Sequence, residues 1–305
     1  VTRRASLATL LLTAAVAVPA QAQEAPRAPY APPLFRPAAR APLPDPPKFV
    51  DVNGSAPVAR DQAKPLFDPT TRAAAEYSHP WAKRVAAATA YARARSGRVA
   101  FAVIDLDGRL RGWHGDERHR SASVVKAMFM VAYLNRIGGR ALETADRRLL
   151  GPMIVRSDNA RASRVRDMLG PGPVYALARR ARMTRFALKA NWGDTLITAA
   201  DQARLFARID LFVPERHRAY ARKLLGSIVE EQRWGVPPAL PAGWRVFFKG
   251  GWRPAGERNL VNQSALIESG ERRVALAVLT DGNPSHEYGT ETIRGVARRV
   301  LRGLQ

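Results

Sequence analysis

Ser123-Val124-Val125-Lys126 sets a hydroxyl and an amine three residues apart, inside a run from Ser121 to Leu134 whose apolar residues suit a helix. Positions three apart share a helix face, so the amine can stand beside the hydroxyl. An uncharged amine there can take the hydroxyl proton, and the positive end of a helix favours the negative charge that develops. Of the seven lysines in the chain, only Lys126 has a serine three residues before it. Nearly all the other basic residues are arginine, which keeps its proton in proteins, whereas lysine can be tuned to act as a base. The plain alternative for the same four residues is a Ser cap opening a buried amphipathic helix.

Two more clusters lie downstream. Ser157-Asp158-Asn159 falls between two helical patterns. A hydroxyl there can relay a proton to a leaving group, and the Asn159 amide can hold a substrate carbonyl and orient the lysine. Ser, Asp and Asn are also ordinary cap and turn residues, and Asp158 reads mainly as structural. Lys249-Gly250-Gly251-Trp252 follows the apolar strand pattern Val246-Phe247-Phe248. Lys249 adds a fixed positive charge at the end of that pattern, and Gly251 lets a substrate backbone approach the strand edge. The Trp252 backbone N–H can join that of Ser123 in an oxyanion hole, which is usually the largest contribution in acyl transfer.

A Ser-x-x-Lys helix, a Ser-Asp-Asn loop and a Lys-Gly strand end, in that order, resemble the class A β-lactamase and penicillin-binding-protein superfamily. The likeness spans about residues 72 to 305, and Pro241-Ala242-Gly243-Trp244, which leads into the third cluster, is similar to that family too. The resemblance implies that Ser123 is acylated, Lys126 is its base and Ser157 the proton relay. It also implies that Asn159 contacts the substrate amide and that Lys249 anchors substrate charge, with Gly251 and Trp252 lining the substrate edge. The implied substrates are β-lactams or acyl-D-alanyl peptides of peptidoglycan, and no cofactor is implied. Two departures stand out. Gly250 occupies the place where the family has a Thr or Ser hydroxyl that helps bind a substrate carboxylate, a role left to Arg253 or Arg258. There is no Glu between Asn159 and Pro214 to activate the water that clears an acyl-enzyme, and Asp194, beside Asn191 and Trp192, is the only carboxylate in the corresponding loop region. A slowly deacylating D,D-carboxypeptidase or esterase is therefore the alternative enzyme, and a non-catalytic cell-wall binding protein the alternative outside catalysis.

The elements that must position these residues can be read from patterning. Residues 72 to 95 suit a long helix that Pro80 kinks or restarts. Val99 to Ile104 reads as a strand turning at Asp107-Gly108 into residues 109 to 114. Helical patterns occupy about 142 to 155, 159 to 168, 173 to 182, 198 to 211 and 215 to 230. Strands then follow over 244 to 249, 259 to 268 and 272 to 280, with Ser269-Gly270 as a hairpin, before a final helix over about 287 to 304. Strands at both ends of a helical stretch predict a two-lobed α/β (α+β) fold: an antiparallel sheet built from N- and C-terminal segments and flanked by helices, with an all-helical insert. The sheet lobe is expected over 72–118 and 242–305 and the helical lobe over 119–241, within one domain, 69–305.

Composition bounds the rest. At 305 residues and 46% hydrophobic, the chain can bury a sizeable core. Residues 1–22 have the charged, apolar and small-residue regions of a secretory signal, with a weak twin-arginine hint, and 23–68 read as a Pro/Ala/Arg-rich spacer. The expected location is secreted or periplasmic, without a membrane span in the mature form and as a monomer. Zero cysteines exclude disulfides, a thiol nucleophile and thiolate metal sites. A net charge of +23 suits anionic cell-wall polymers as partners. Nucleic acid is not expected, because the basic residues are scattered rather than interleaved with aromatics. His79, His114, His119, His217 and His286 lack paired metal-ligand spacing, so no metal is expected. Trp113, Trp192, Trp234 and Trp252 read mostly as core residues, with a cleft lining as the other possibility.

Overall fold

Why a sheet forms from segments more than 140 residues apart is visible in the burial of its strands. The computed structural model describes Val1 and residues 79–304, so the leader, the spacer and the expected helical residues 72–78 lie outside the described residues. Strands β1 (Arg98–Ile104) and β2 (Leu110–Trp113) form the hairpin expected around Asp107-Gly108, and β3 (His119–Arg120) follows. A two-residue strand β4 (Leu196–Ile197) pairs with β3. Strands β5 (Arg245–Ala255), β6 (Arg258–Ser269) and β7 (Arg272–Asn283) complete an antiparallel sheet of order β2-β1-β7-β6-β5. In β6 residues 260–268 and in β7 residues 274–280 are all buried, whichever way their side chains point. Such continuous burial requires cover on both faces.

The cover is helical. Helix α1 (Trp81–Arg93) begins immediately after Pro80, so the proline starts the helix rather than kinking one already formed. Helices α2 (Lys126–Ile137), α3 (Thr144–Val155), α4 (Asn159–Leu169) and α5 (Pro171–Arg180) fill the middle of the chain. They are followed by α6 (Ala199–Ala207), α7 (Ile209–Phe212), α8 (Glu215–Gly226) and, after the strands, α9 (His286–Leu301). Helices α1 and α9 pack on each other, α9 lies on β6 and β7, and α6 packs on β1, β6 and β7. Every residue of α2 from Lys126 to Leu134 is buried, as expected of a central helix, and α3, α4 and α5 surround it.

The differences from the sequence reading have local causes. The expected helix over 198 to 211 breaks at Arg208, whose φ of −121° lies outside the helical region. The helix expected to reach residue 230 stops at Gly226, and a short 3-10 turn over Glu230–Gln232 follows. Strand β5 runs six residues past Lys249, so the Lys-Gly-Gly cluster lies within an edge strand and not at its end. Strands β3 and β4 are too short to leave a periodic signal, yet they tie the segment before Ser123 to the segment after Asp194.

Candidate active site

The approach to Ser123 is constrained on both sides. The Ser121 N–H donates to Thr195 O at 2.8 Å, which fixes the chain as it leaves β3. Ala122 then adopts φ +43°, a left-handed conformation that a side-chain-bearing residue holds only when its surroundings compel it. A 3-10 turn over Ala122–Val125 carries Ser123 into α2, where the Lys126 N–H donates back to Ser123 O. Residues three apart eclipse in such a turn, which puts Ser123 and Lys126 on one face, although the Lys126 amine bonds to Ser157 and Asn159 and not to the Ser123 hydroxyl. Ser123 is 9% exposed, and its hydroxyl has no hydrogen-bond partner among the described residues.

Ser157 is also held in an unusual conformation. At the C-terminus of α3 both Arg156 N–H and Asp158 N–H donate to Pro152 O, each at 3.1 Å. This closure places the residue between them in the left-handed region, usually a glycine position, yet Ser157 occupies it at φ +59°. Asp158 then caps α4, accepting from Arg161 N–H at 2.8 Å, which is the structural role expected of it.

These turns bring two lysines onto one hydroxyl. Lys126 Nζ lies 3.2 Å from Ser157 Oγ, 2.5 Å from Ser157 O and 2.7 Å from Asn159 Oδ1. Lys249 Nζ lies 3.0 Å from the same Ser157 Oγ and 2.8 Å from Gly250 O. Both side chains are fully buried, and among the described residues neither has a carboxylate within ion-pair distance. Burial lowers the Lys126 pKa to about 7, against a smaller upward pull from the Asp158 carboxylate. Burial pushes Lys249 well below the usual lysine range, and the charge of Lys126 adds to the effect. Lys126 can therefore exchange a proton near neutrality.

Asn159 is placed to orient Lys126 through Oδ1. Lys249, expected to anchor substrate charge, directs its amine to Ser157 Oγ and Gly250 O instead of the surface. A Cβ on Gly251 would lie 2.6 Å from Ser123 N and 2.7 Å from Ser121 O, so only glycine lets β5 approach this closely. The backbone of β5 thereby abuts the Ser123 turn, with Trp252 next along the free edge of the sheet.

The sequence reading undervalued one residue at the site. The Trp192 ring centroid is 4.9 Å from Lys126 Nζ, and its Nε1–H donates to Ser163 Oγ at 3.0 Å. Nothing in its sequence neighbourhood distinguished it from a core tryptophan. Asp194 is already engaged, accepting from Arg253 Nη2 and from Asn191 Nδ2. Arg253 therefore is not free to replace the hydroxyl missing at Gly250, and Arg258 lies exposed in the β5–β6 hairpin opposite Ala255. His119, the histidine closest to Ser123 in sequence, is buried on β3 with both ring nitrogens unpartnered among the described residues.

A family model described as "Beta-lactamase enzyme family" matches residues 141–304, more than half of the chain. The chain belongs to the beta-lactamase enzyme family. The matched stretch holds Ser157, Asn159, Lys249, Gly251 and Trp252, while Ser123 and Lys126 precede it. The likeness of fold covers more of the chain than this stretch. The β-lactamase of Sphaerobacter thermophilus is 20% identical with a TM-score of 0.63, over 73% of this chain and 97% of that one. The class A β-lactamase of Mycobacterium abscessus is 23% identical with a TM-score of 0.61, over 72% and 98% of the two chains. A β-lactamase of Xanthomonas campestris is 18% identical with a TM-score of 0.61, over 72% and 97%. At such identities the likeness is one of fold, here the class A β-lactamase fold. No curated protein sequence matches the chain.

Proposed function

We propose that the chain is an exported serine hydrolase that forms an acyl-enzyme on Ser123 from amide carbonyls of the β-lactam or acyl-D-alanyl type. Lys126 takes the Ser123 proton as Oγ bonds to the carbonyl carbon. The backbone N–H groups of Ser123 and Trp252 hold the oxygen that becomes negative. When the carbon–nitrogen bond breaks, Ser157 passes a proton to the departing nitrogen and is reprotonated from Lys126. The observation that carries this reading is the pair of buried lysines, without carboxylate partners, meeting at the Ser157 hydroxyl. Burying two amines at one oxygen without a carboxylate costs desolvation energy that no ion pair offsets, an arrangement typical of functional sites.

Release of the acyl group is expected to be slow. Asp194 is tied to Arg253 and Asn191, and Trp192 covers the Lys126 side of the site. A fluorophosphonate or fluorescent penicillin should add its mass to the wild-type protein at Ser123, and the adduct should persist while a chromogenic cephalosporin turns over poorly. An identical adduct on Ser123→Ala would refute the nucleophile, and fast steady turnover would refute the slow release.

A further inference from the structure

At Gly250 an indole stands where a side chain would begin. A Cβ there would lie 3.0 Å from Trp234 Cη2 and 3.1 Å from Trp234 Cζ2. The Trp234 ring meets Trp252 edge-on at 5.7 Å and His286 at 5.6 Å, while Trp252 and His286 rings are 6.0 Å apart. All three rings are part-exposed. Lys249 Nζ is 6.0 Å from the Trp252 centroid and 3.0 Å from Ser157 Oγ, so this aromatic corner adjoins the Ser157 hydroxyl.

The corner offers little to an anion. Gln263, opposite Gly250 in register, donates to Trp234 O at 2.9 Å and accepts from Val236 N–H at 2.7 Å. Asn262, opposite Gly251, donates to Arg120 O at 2.8 Å and accepts from Thr280 N–H at 2.9 Å. Arg253 is paired with Asp194. Arg233 has turned towards Glu230, Gly226 O and the Phe248 ring. Arg258 is level with Ala255, five residues beyond Gly250, or about 17 Å along an extended strand. Burial also lowers the pKa of His286, which keeps the ring neutral near pH 7. A carboxylate placed here would find the nearby guanidinium and amide donors of Arg253, Arg233, Gln263 and Asn262 already engaged, whereas an uncharged flat group would meet aromatic surface.

We propose that the corner formed by Gly250, Trp234, Trp252 and His286 receives an uncharged, preferably aromatic, group beside the bond that breaks, so that capped acyl substrates are preferred over free acids. This rests on the acyl-transfer reading and narrows its substrate class.

Benzylpenicillin and its benzyl ester present the same ring amide with the neighbouring carboxylate free or capped. Their binding can be compared by calorimetry on Ser123→Ala, which cannot be acylated. The ester should bind at least about tenfold tighter than the acid, a gain in line with one aromatic contact and an avoided desolvation. Gly250→Ser in the same background, which restores a hydroxyl and presses on Trp234, should shift the preference towards the acid. Trp234→Ala should reduce the preference to below about threefold. Equal, reversed or undetectable binding overturns the proposal, as does a preference untouched by both substitutions. Acylation is read separately by intact mass on the wild type. Retained ester preference with no adduct would remove the Ser123 chemistry and leave the corner's specificity standing.

Discussion

Two clusters of charge lie along the same strand, one part-exposed and one buried, and they are built on opposite terms. At the start of β5, Arg245 lies 3.0 Å from Glu268, which also pairs with Arg222 at 2.8 Å. Arg222 reaches Asp210 at 2.7 Å, and Arg273 reaches Asp210 at 3.2 Å and Glu268 at 3.8 Å. Three guanidinium groups thus share two carboxylates. Burial alone would raise the Asp210 pKa, but Arg222 and Arg273 bring it below the usual carboxylate range. Four residues further along, Lys249 and its neighbour Lys126 are buried with hydroxyl, carbonyl and amide oxygens only. A paired cluster holds its protons fixed and ties elements together. An unpaired one leaves its cations ready to lose a proton, which suits chemistry and not stability.

The contrast is broken most sharply at Lys126. Lys126→Ala should slow adduct formation at Ser123 by about 10²–10⁴-fold, the usual value of a positioned base. In the wild type the labelling rate should rise as pH passes through about 7, where Lys126 becomes neutral, and level off above it. Time courses of intact mass between pH 6 and 8 test both. Undiminished labelling in Lys126→Ala would mean that the unpaired amine is not the base.

The paired cluster should respond in the other currency. Arg222→Leu leaves Arg273 as the one partner that Glu268 and Asp210 still share, and losing the Arg222 bonds should cost about 1–3 kcal/mol. Denaturant unfolding should record that loss, while labelling per folded molecule stays at the wild-type rate. A stable Arg222→Leu protein with slow labelling would erase the distinction between the two clusters.

How much of this was legible in the sequence follows from the range of each signal. Strands and helices of ten residues carry periodicity, so the order of elements and the sheet built from both ends could be read. Ser123 and Lys126 are three residues apart, and local geometry suffices to place them together. The convergence of Ser157 and Lys249, 92 residues apart, followed only from the family resemblance, because no local pattern encodes that contact. The left-handed conformations of Ala122 and Ser157 were invisible, since neither residue type announces positive φ. Trp192 and Trp234 were unreadable for a different reason: a tryptophan beside a lysine amine and one in the core have the same sequence signature.

His119 supplies the smallest and most discriminating test, because it is buried with neither ring nitrogen hydrogen-bonded among the described residues, yet expected to be inert. Burial, with a contribution from Arg98, lowers its pKa to about 4 despite upward pulls from Asp281 and Glu117, whose Oε2 is 4.0 Å away. The unfolded chain takes up the proton below about pH 6.5 while the folded protein does not, so stability must fall as pH drops through this window and cease falling from this source below about 4. Between pH 7 and 5.5 the loss should be about 1 kcal/mol. Denaturant unfolding at both pH values should show that His119→Leu has lost this share of the pH dependence, with labelling per folded molecule unchanged. An equal pH dependence in the two proteins would show that His119 does not titrate there. Slow labelling in His119→Leu would show that this buried base, too, serves the Ser123 site. If both expectations hold, a missing hydrogen bond alone does not mark a reactive group. Lys126 differs in having its pKa near neutrality and its amine on the hydroxyl that Lys249 shares.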